Sequence, residues 1–226
     1  MSSDPSYFDP RLVAALRRFS SVAALLCMLV GAAALAAWTA NQGAATALIS
    51  GQPPLLPLTA LGVLLGGAAL WLLPNAPGRP AVPPSLMRRR LALICAGVTA
   101  TLGALILLEY LLRVNLGLDR ALFAPAVQAL HAAAPGRPSA ASAANLLLAG
   151  VALLALDPSV ARRVPRRLAP AGLLLGLLLS SLGLLNYFYE FGSIGPVAPY
   201  LPVEPSSALA CALLTLGVLA AAPTGP

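Results

Sequence analysis

Three times along the chain, a short polar patch carrying proline or serine leads into an Ala/Leu/Gly run, and no other feature constrains the fold as much. The runs read Pro57-Leu58-Thr59-Ala60-Leu61 into Gly62 to Leu73, Ala141-Ser142-Ala143-Ala144-Asn145 into Leu146 to Leu156, and Ser206-Ser207-Ala208-Leu209-Ala210 into Cys211 to Ala222. Aligned on Thr59, Ser142 and Ser207, they bring Ala60, Ala143 and Ala208 into register, with Gly67, Gly150 and Thr215 eight residues further on. Each run follows another apolar segment, so the pattern predicts three repeated helix hairpins.

Six segments have the ~20-residue apolar length that a ~30 Å hydrocarbon core requires: about 19 to 40, 54 to 73, 91 to 112, 139 to 156, 168 to 189 and 206 to 222, the fourth and sixth being short. Only 9% of residues are charged and 59% are hydrophobic, whereas a soluble domain is roughly a quarter charged. Backbone groups in lipid must pair within the spanning structure, and no polar/apolar alternation suggests a barrel. The expected fold class is therefore all-α integral membrane, with six transmembrane helices as three hairpins.

The basic residues are all arginines. Arg11, Arg17 and Arg18 precede the first span, Arg79, Arg88, Arg89 and Arg90 lie between the second and third, and Arg162, Arg163, Arg166 and Arg167 between the fourth and fifth. Arg113, Arg120 and Arg137 fall on the other side, eleven against three. The positive-inside rule then predicts both termini in the cytoplasm. The +7 charge is topology information with some attraction to anionic lipid; no basic run carries the aromatics of a nucleic-acid reader. In an alternative reading, Arg17-Arg18 and the small residues near Ala33 to Ala37 mark a cleaved signal peptide, which would break the hairpin pattern. Cys27, Cys95 and Cys211 all lie inside spans and read as buried small hydrophobes.

The expected organisation is a cytoplasmic lead over 1–18, whose Leu12, Val13 and Leu16 beside arginines suit an interfacial helix, and a module over 19–222 with hairpins at about 19–73, 91–156 and 168–222. Residues 223–226 would open a cytoplasmic linker or end the chain. The inner connections, Pro74 to Arg90 and Asp157 to Arg167, read as turns. In the second outer loop, Asp119 as N-cap and Leu122, Phe123, Val127 and Leu130 at helical spacing predict a short interfacial helix ending at Pro135-Gly136. The third, Tyr187 to Pro205, is rich in aromatics and proline. Gly62 and Gly66, and Gly172, Gly176 and Ser180, recur at four-residue spacing and are candidate helix-packing positions.

Glu109 is the only acidic residue inside a span, and Leu107-Leu108-Glu109-Tyr110 recurs as Leu184-Leu185-Asn186-Tyr187. The repeat sets two polar side chains and two tyrosines at one depth. With Arg113, Asn115, Asp119, Arg120, Tyr189 and Glu190, these form a candidate ligand-binding pocket under the outer surface, because an intramembrane carboxylate is a functional candidate by default. The competing reading makes the tyrosines an aromatic belt and pairs Glu109 with Arg113 one turn on. Thr59, Ser142 and Ser207 read as helix N-caps without a base beside them. His131, the single histidine, has no second ligand near it in sequence, so no metal site or cofactor is expected. Phosphate loops and hydrolase motifs are missing, and catalysis is not expected of this chain.

Leu107-Leu108-Glu109-Tyr110, followed by Asn115-Leu116-Gly117-Leu118-Asp119-Arg120-Ala121-Leu122-Phe123, then Gly136-Arg137-Pro138-Ser139 before a small-residue helix and Tyr187 to Pro205 before the last helix, resembles the multi-helix membrane input region of bacterial sensor histidine kinases and of PAS- or GGDEF-containing signalling proteins. Leu58, Ala141 and Ser206 stand where that pattern would carry Asn or a similar residue. The resemblance implies a multi-pass protein of the bacterial inner membrane that senses an envelope or membrane signal. Its partners would be the bilayer, a cytoplasmic signalling domain in cis or in trans, and a second copy as a homodimer. The rival readings are a ligand-free membrane scaffold or assembly protein and a small transporter, the latter disfavoured by an Ala/Leu/Gly/Val midplane.

Overall fold

The computed structural model describes residues 10–40, 55–73, 85–114, 116–117, 122–123, 137–161, 168–189 and 204–221. These contain helices α1 (Pro10–Thr39), α2 (Pro57–Leu72), α3 (Leu86–Leu112), α4 (Ala140–Ala155), α5 (Leu168–Tyr189) and α6 (Pro205–Ala221), a helical turn at Pro158–Ala161, and no strand. Ala and Leu favour helix at almost every position, so the boundaries are set by local stops and starts. Ser85 caps α3 by accepting from the Arg88 amide at 3.3 Å, and Ser139 caps α4 by accepting from the Ser142 amide at 3.1 Å. Pro57 and Pro205 begin α2 and α6, where the fixed φ of proline fits and its missing N–H costs nothing. Arg113, at φ 54°, ends α3 in the left-handed conformation.

These starts correct one expectation. Thr59, Ser142 and Ser207 are not caps but lie one turn inside their helices, each with at most 1% of its surface exposed. The cap positions are three residues earlier, at Leu56, Ser139 and Glu204, whose carbonyls accept from Ala60, Ala143 and Ala208. Pro57 and Pro205 share a register two residues before the hydroxyl and carried the signal for this shift.

The helices close a ring in chain order, with α6 returning to α1, and α2, α4 and α6 also touch one another. With Thr59, Ser142 and Ser207 as position 0, positions 0, 1, 3, 4, 7, 8, 10 and 11 are buried in all three of these shorter helices. Positions 0, 4, 7 and 11 fall on one helical stripe. Along it run Thr59, Val63, Gly66 and Leu70; Ser142, Leu146, Ala149 and Leu153; and Ser207, Cys211, Leu214 and Val218. The bare backbone of Gly66 receives the Leu214 side chain and that of Gly62 receives Leu146. An apolar centre therefore lies beneath a layer of hydroxyls.

Glycine also sets how closely neighbours approach. A β-carbon at Gly31 would lie 2.7 Å from the Ala60 carbonyl oxygen, and one at Gly67 2.9 Å from that of Ala24. Gly103 meets Ala143 and Leu147, and Gly150 meets Ala100, in the corresponding way. The α1/α2 and α3/α4 pairs are thus antiparallel and cross at the same two register positions, which lets backbones touch in the manner of small-residue membrane helices.

Large exposed apolar side chains sit almost wholly on α1, α3 and α5, for example Leu29 at 65%, Ile94 at 60% and Leu174 at 57%. Arg11–Thr39, Leu86–Leu112 and Leu168–Leu185 are long and apolar enough to cross a membrane. The chain is a membrane protein by these features: its outward face suits lipid, not water. At 16 or 17 residues, α2, α4 and α6 span about 25 Å, and neighbouring helices, more than lipid, cover them.

The end that the arginine bias assigns to the cytoplasm is tied by side chains. Arg89 clamps Asp157 with two bonds, Nε to Oδ2 at 2.6 Å and a terminal nitrogen to Oδ1 at 2.7 Å, joining the start of α3 to the end of α4. The Ser159 amide and hydroxyl also donate to Oδ1. Arg88 donates to the Trp71 and Leu73 carbonyls at the end of α2, where a cation suits the helix dipole.

Two further expectations are corrected. From Pro10 the lead is continuous with α1 rather than a separate interfacial helix. At Leu122 and Phe123 the backbone is a turn, with Phe123 at φ 55°, so the interfacial helix of the second outer loop does not include them; the rest of that segment lies outside the described residues. Both side chains are half-buried against the bundle, Phe123 on Trp38 and Leu56, and Leu122 on Leu58, Ile106 and Ala143. Burying two large apolar groups favours this turn over a helix lying flat.

Candidate functional site

Glu109 sits three residues after Ile106, which is buried against Leu58 and Ala143. Helical spacing puts both on the inward face, and Glu109 is 2% exposed. One carboxylate oxygen accepts from the Leu116 amide at 2.8 Å, and the other lies 3.5 Å from a guanidinium nitrogen of Arg137. That guanidinium stacks over the Tyr110 ring at 5.2 Å and donates to the Val114 carbonyl at 3.4 Å. Tyr110 donates its hydroxyl to the Pro138 carbonyl at 3.0 Å. The two residues before the α4 cap are thereby fastened to the last turn of α3.

The expected Glu109–Arg113 pair is not formed. The left-handed turn at Arg113 curls Val114 to Leu116 over the helix end, which delivers an amide to the carboxylate and leaves the Arg113 side chain exposed. Arg137 takes the place of Arg113. The sequence held a signal for this: within one hairpin, residues just before α4 must lie beside the end of α3.

A second carboxylate, Glu204, stands at the start of α6 and accepts from the Ser207 hydroxyl at 2.7 Å. Burial pushes its carboxyl above the usual carboxylate range, against the opposing pull of the Ser207 bond. Tyr110 is within electrostatic reach of both Glu204 and Glu109. Ser139 and Ser142, at the same register positions on α4, share a hydroxyl–hydroxyl bond of 3.0 Å. On α2 the residue at the Glu204 position is Leu56, and Thr59 Oγ1 is buried with no hydrogen-bond partner among the described residues. Sequence reasoning passed over Glu204 because it lay outside every apolar run. Trp38, 1% exposed, closes this end by donating to the Leu55 carbonyl at 2.9 Å.

A smaller polar group lies deeper. Asn145 donates to the Ala141 carbonyl at 3.1 Å and accepts from Thr215 at 3.5 Å, and Gly176 of α5 packs directly on its amide oxygen. One turn along α5, Ser180 is 1% exposed with no partner for its hydroxyl among the described residues. Gly172 faces Leu148, so the Gly172, Gly176 and Ser180 stripe looks inward.

Of the remaining expected pocket residues, Asn186, Tyr187 and Tyr189 lie on the last turns of α5, where the backbone alone is described, and Asn115, Asp119, Arg120 and Glu190 lie outside the described residues, as does His131. The described partners of Glu109 come from its own hairpin, not from α5. Among the described residues no group of three His, Cys, Asp or Glu is placed to hold a metal. No family model matches the chain, nor does any curated protein or solved structure.

Proposed function

We propose that the chain is a membrane-embedded sensory input module of a bacterial inner membrane. In this reading it has six spans in three hairpin repeats, both ends cytoplasmic, and passes a condition at the outer face through α6 to a cytoplasmic output domain or partner. The observation that supports it is the gathering of Glu109, Arg137, Tyr110, Glu204 and buried hydroxyls at one end of the bundle. Ionisable groups buried within a membrane bundle are costly, and their retention favours a role in function. The opposite end carries the Arg89–Asp157 clamp between α3 and α4, and α6 is a 17-residue helix that starts beside Glu204.

The test is a fusion of the module to a cytoplasmic kinase or cyclase reporter, with external pH, osmolarity and lipid composition varied. Glu109→Gln and Arg137→Ala should change the response, whereas Leu178→Ala, on the lipid-facing side of α5, should not. If all three behave like the parent fusion, the sensory reading fails and a scaffold without a ligand takes its place.

A further inference from the structure

We propose that Glu204 is a proton-binding site, held by the buried Ser207 hydroxyl at the start of α6. It rests on the sensory reading only for what the bound proton would be used for. The geometry is that of a carboxylate whose single described side-chain donor is a fully buried hydroxyl, Ser207 at 2.7 Å, and which has no cation within ion-pairing distance among the described residues. Glu109 differs, because Arg137 stands beside it.

Two protonation states can both be satisfied there. Ionised, Glu204 accepts from Ser207 and lies at the positive end of the α6 dipole. Protonated, it becomes a donor and can bond the same Ser207 oxygen, since a hydroxyl both donates and accepts. The change is the transfer of one proton from hydronium to the carboxylate, leaving water. Desolvation favours the neutral form, and the pKa is raised for that reason.

The titratable groups facing Glu204 are few. Tyr110 approaches from α3, with Glu109 and Arg137 around it. Cys211 lies on α6 itself, with Cys27 of α1 within reach of Cys211. The described outer ends of α2 (55–60) and α4 (139–145) carry none. On α5, Tyr187 and Tyr189 lie in the last turns.

The experiment is an infrared pH titration of the purified full chain in lipid nanodiscs, following the C=O stretch of protonated carboxyl groups, with thermal melting at each pH. A carboxyl band should titrate above the ordinary glutamate value of about 4.3, vanish in Glu204→Gln and persist in Glu109→Gln. Ser207→Ala, which takes a donor from the ionised form, should move the midpoint higher still. Because the folded state binds this proton more tightly than the unfolded state, the Glu204 contribution to stability is fully present below about 4.3 and is lost as pH rises through the raised midpoint; Glu204→Gln should lack that loss. A midpoint at or below the ordinary value, or a band that survives Glu204→Gln, overturns the proposal. If Glu204→Gln fails to fold, an unchanged midpoint in Ser207→Ala overturns it instead. No output reporter is involved, so failure here leaves the sensory reading standing.

Discussion

Glu109 and Arg137 show how much a single buried ion pair depends on its neighbours. The carboxylate is 2% exposed and the arginine side chain 18% exposed, so neither can fall back on bulk water. Arg137→Ala leaves Glu109, among its described partners, with only the Leu116 amide and removes the cation from the Tyr110 ring, and should cost about 1–3 kcal/mol. Arg113→Ala, at an exposed helix end, should cost under ~0.5 kcal/mol. Thermal melts of the two variants check this, and equal losses would restore the Arg113 pairing. Ser180 makes the opposite case. Its hydroxyl is buried without a partner among the described residues, so Ser180→Ala should raise stability by about 1 kcal/mol, and a lower melting temperature would reveal a bond the hydroxyl makes with its surroundings.

At the scale of the element, glycine placement decides which helices touch. Gly31 and Gly103 occupy equivalent crossing points on α1 and α3, and Gly67 and Gly150 the return crossings on α2 and α4. In the third hairpin, Ser180 and Thr215 stand at these positions, and α5 and α6 share a smaller contact than the first two pairs. Two Cβ atoms with hydroxyls cannot be packed as closely as two glycines. A β-carbon at Gly176 would lie 2.6 Å from the Asn145 amide oxygen, so Gly176→Leu should lower the melting temperature markedly, at about 1–3 kcal/mol or more for overpacking, while Leu178→Ala on the lipid face should leave it nearly unchanged. Equal melting temperatures would show that the stripe does not face the bundle. The Arg89–Asp157 clamp adds a pH signature of its own. The Arg89 hydrogen bond holds the Asp157 carboxyl well below the usual carboxylate range, with help from Ser159. A depressed value means stability that is present above the ordinary aspartate pKa of about 3.9 and lost as pH falls through the depressed one. Melts in acid should therefore show the parent losing stability on acidification and Asp157→Asn, already lacking the clamp, losing less. Parallel curves would mean that the pair contributes nothing.

For the whole molecule, the length and composition of the apolar runs were enough to predict a helical membrane chain, but not that Thr59, Ser142 and Ser207, read as caps, would be buried one turn inside their helices. The outer cluster was only half legible. Glu109 stood out as an acid in an apolar run, but its partner Arg137 lies 28 residues away across a loop, and local spacing favoured Arg113 at i+4 until the left-handed residue redirected the chain. Glu204 was hidden because its burial depends on helices distant in sequence, Tyr110 of α3 being within electrostatic reach, which no window of sequence contains. The six-span topology itself rests on the arginine count, since α2, α4 and α6 are shorter than a usual span, and it is open to direct measurement. Reporter fusions at Gly78, Arg163 and the C-terminus should read cytoplasm, and fusions at Ala133 and Ala198 should read the outside. Such an arrangement puts Glu109 and Glu204 near the outer headgroups and Arg89 with Asp157 near the inner ones, the polarity that any outside-to-inside signal through α6 requires. A cytoplasmic reading at Ala133 would leave α3 and α4 on one side of the membrane or invert them, and would remove the outer cluster from the face where a stimulus could reach it.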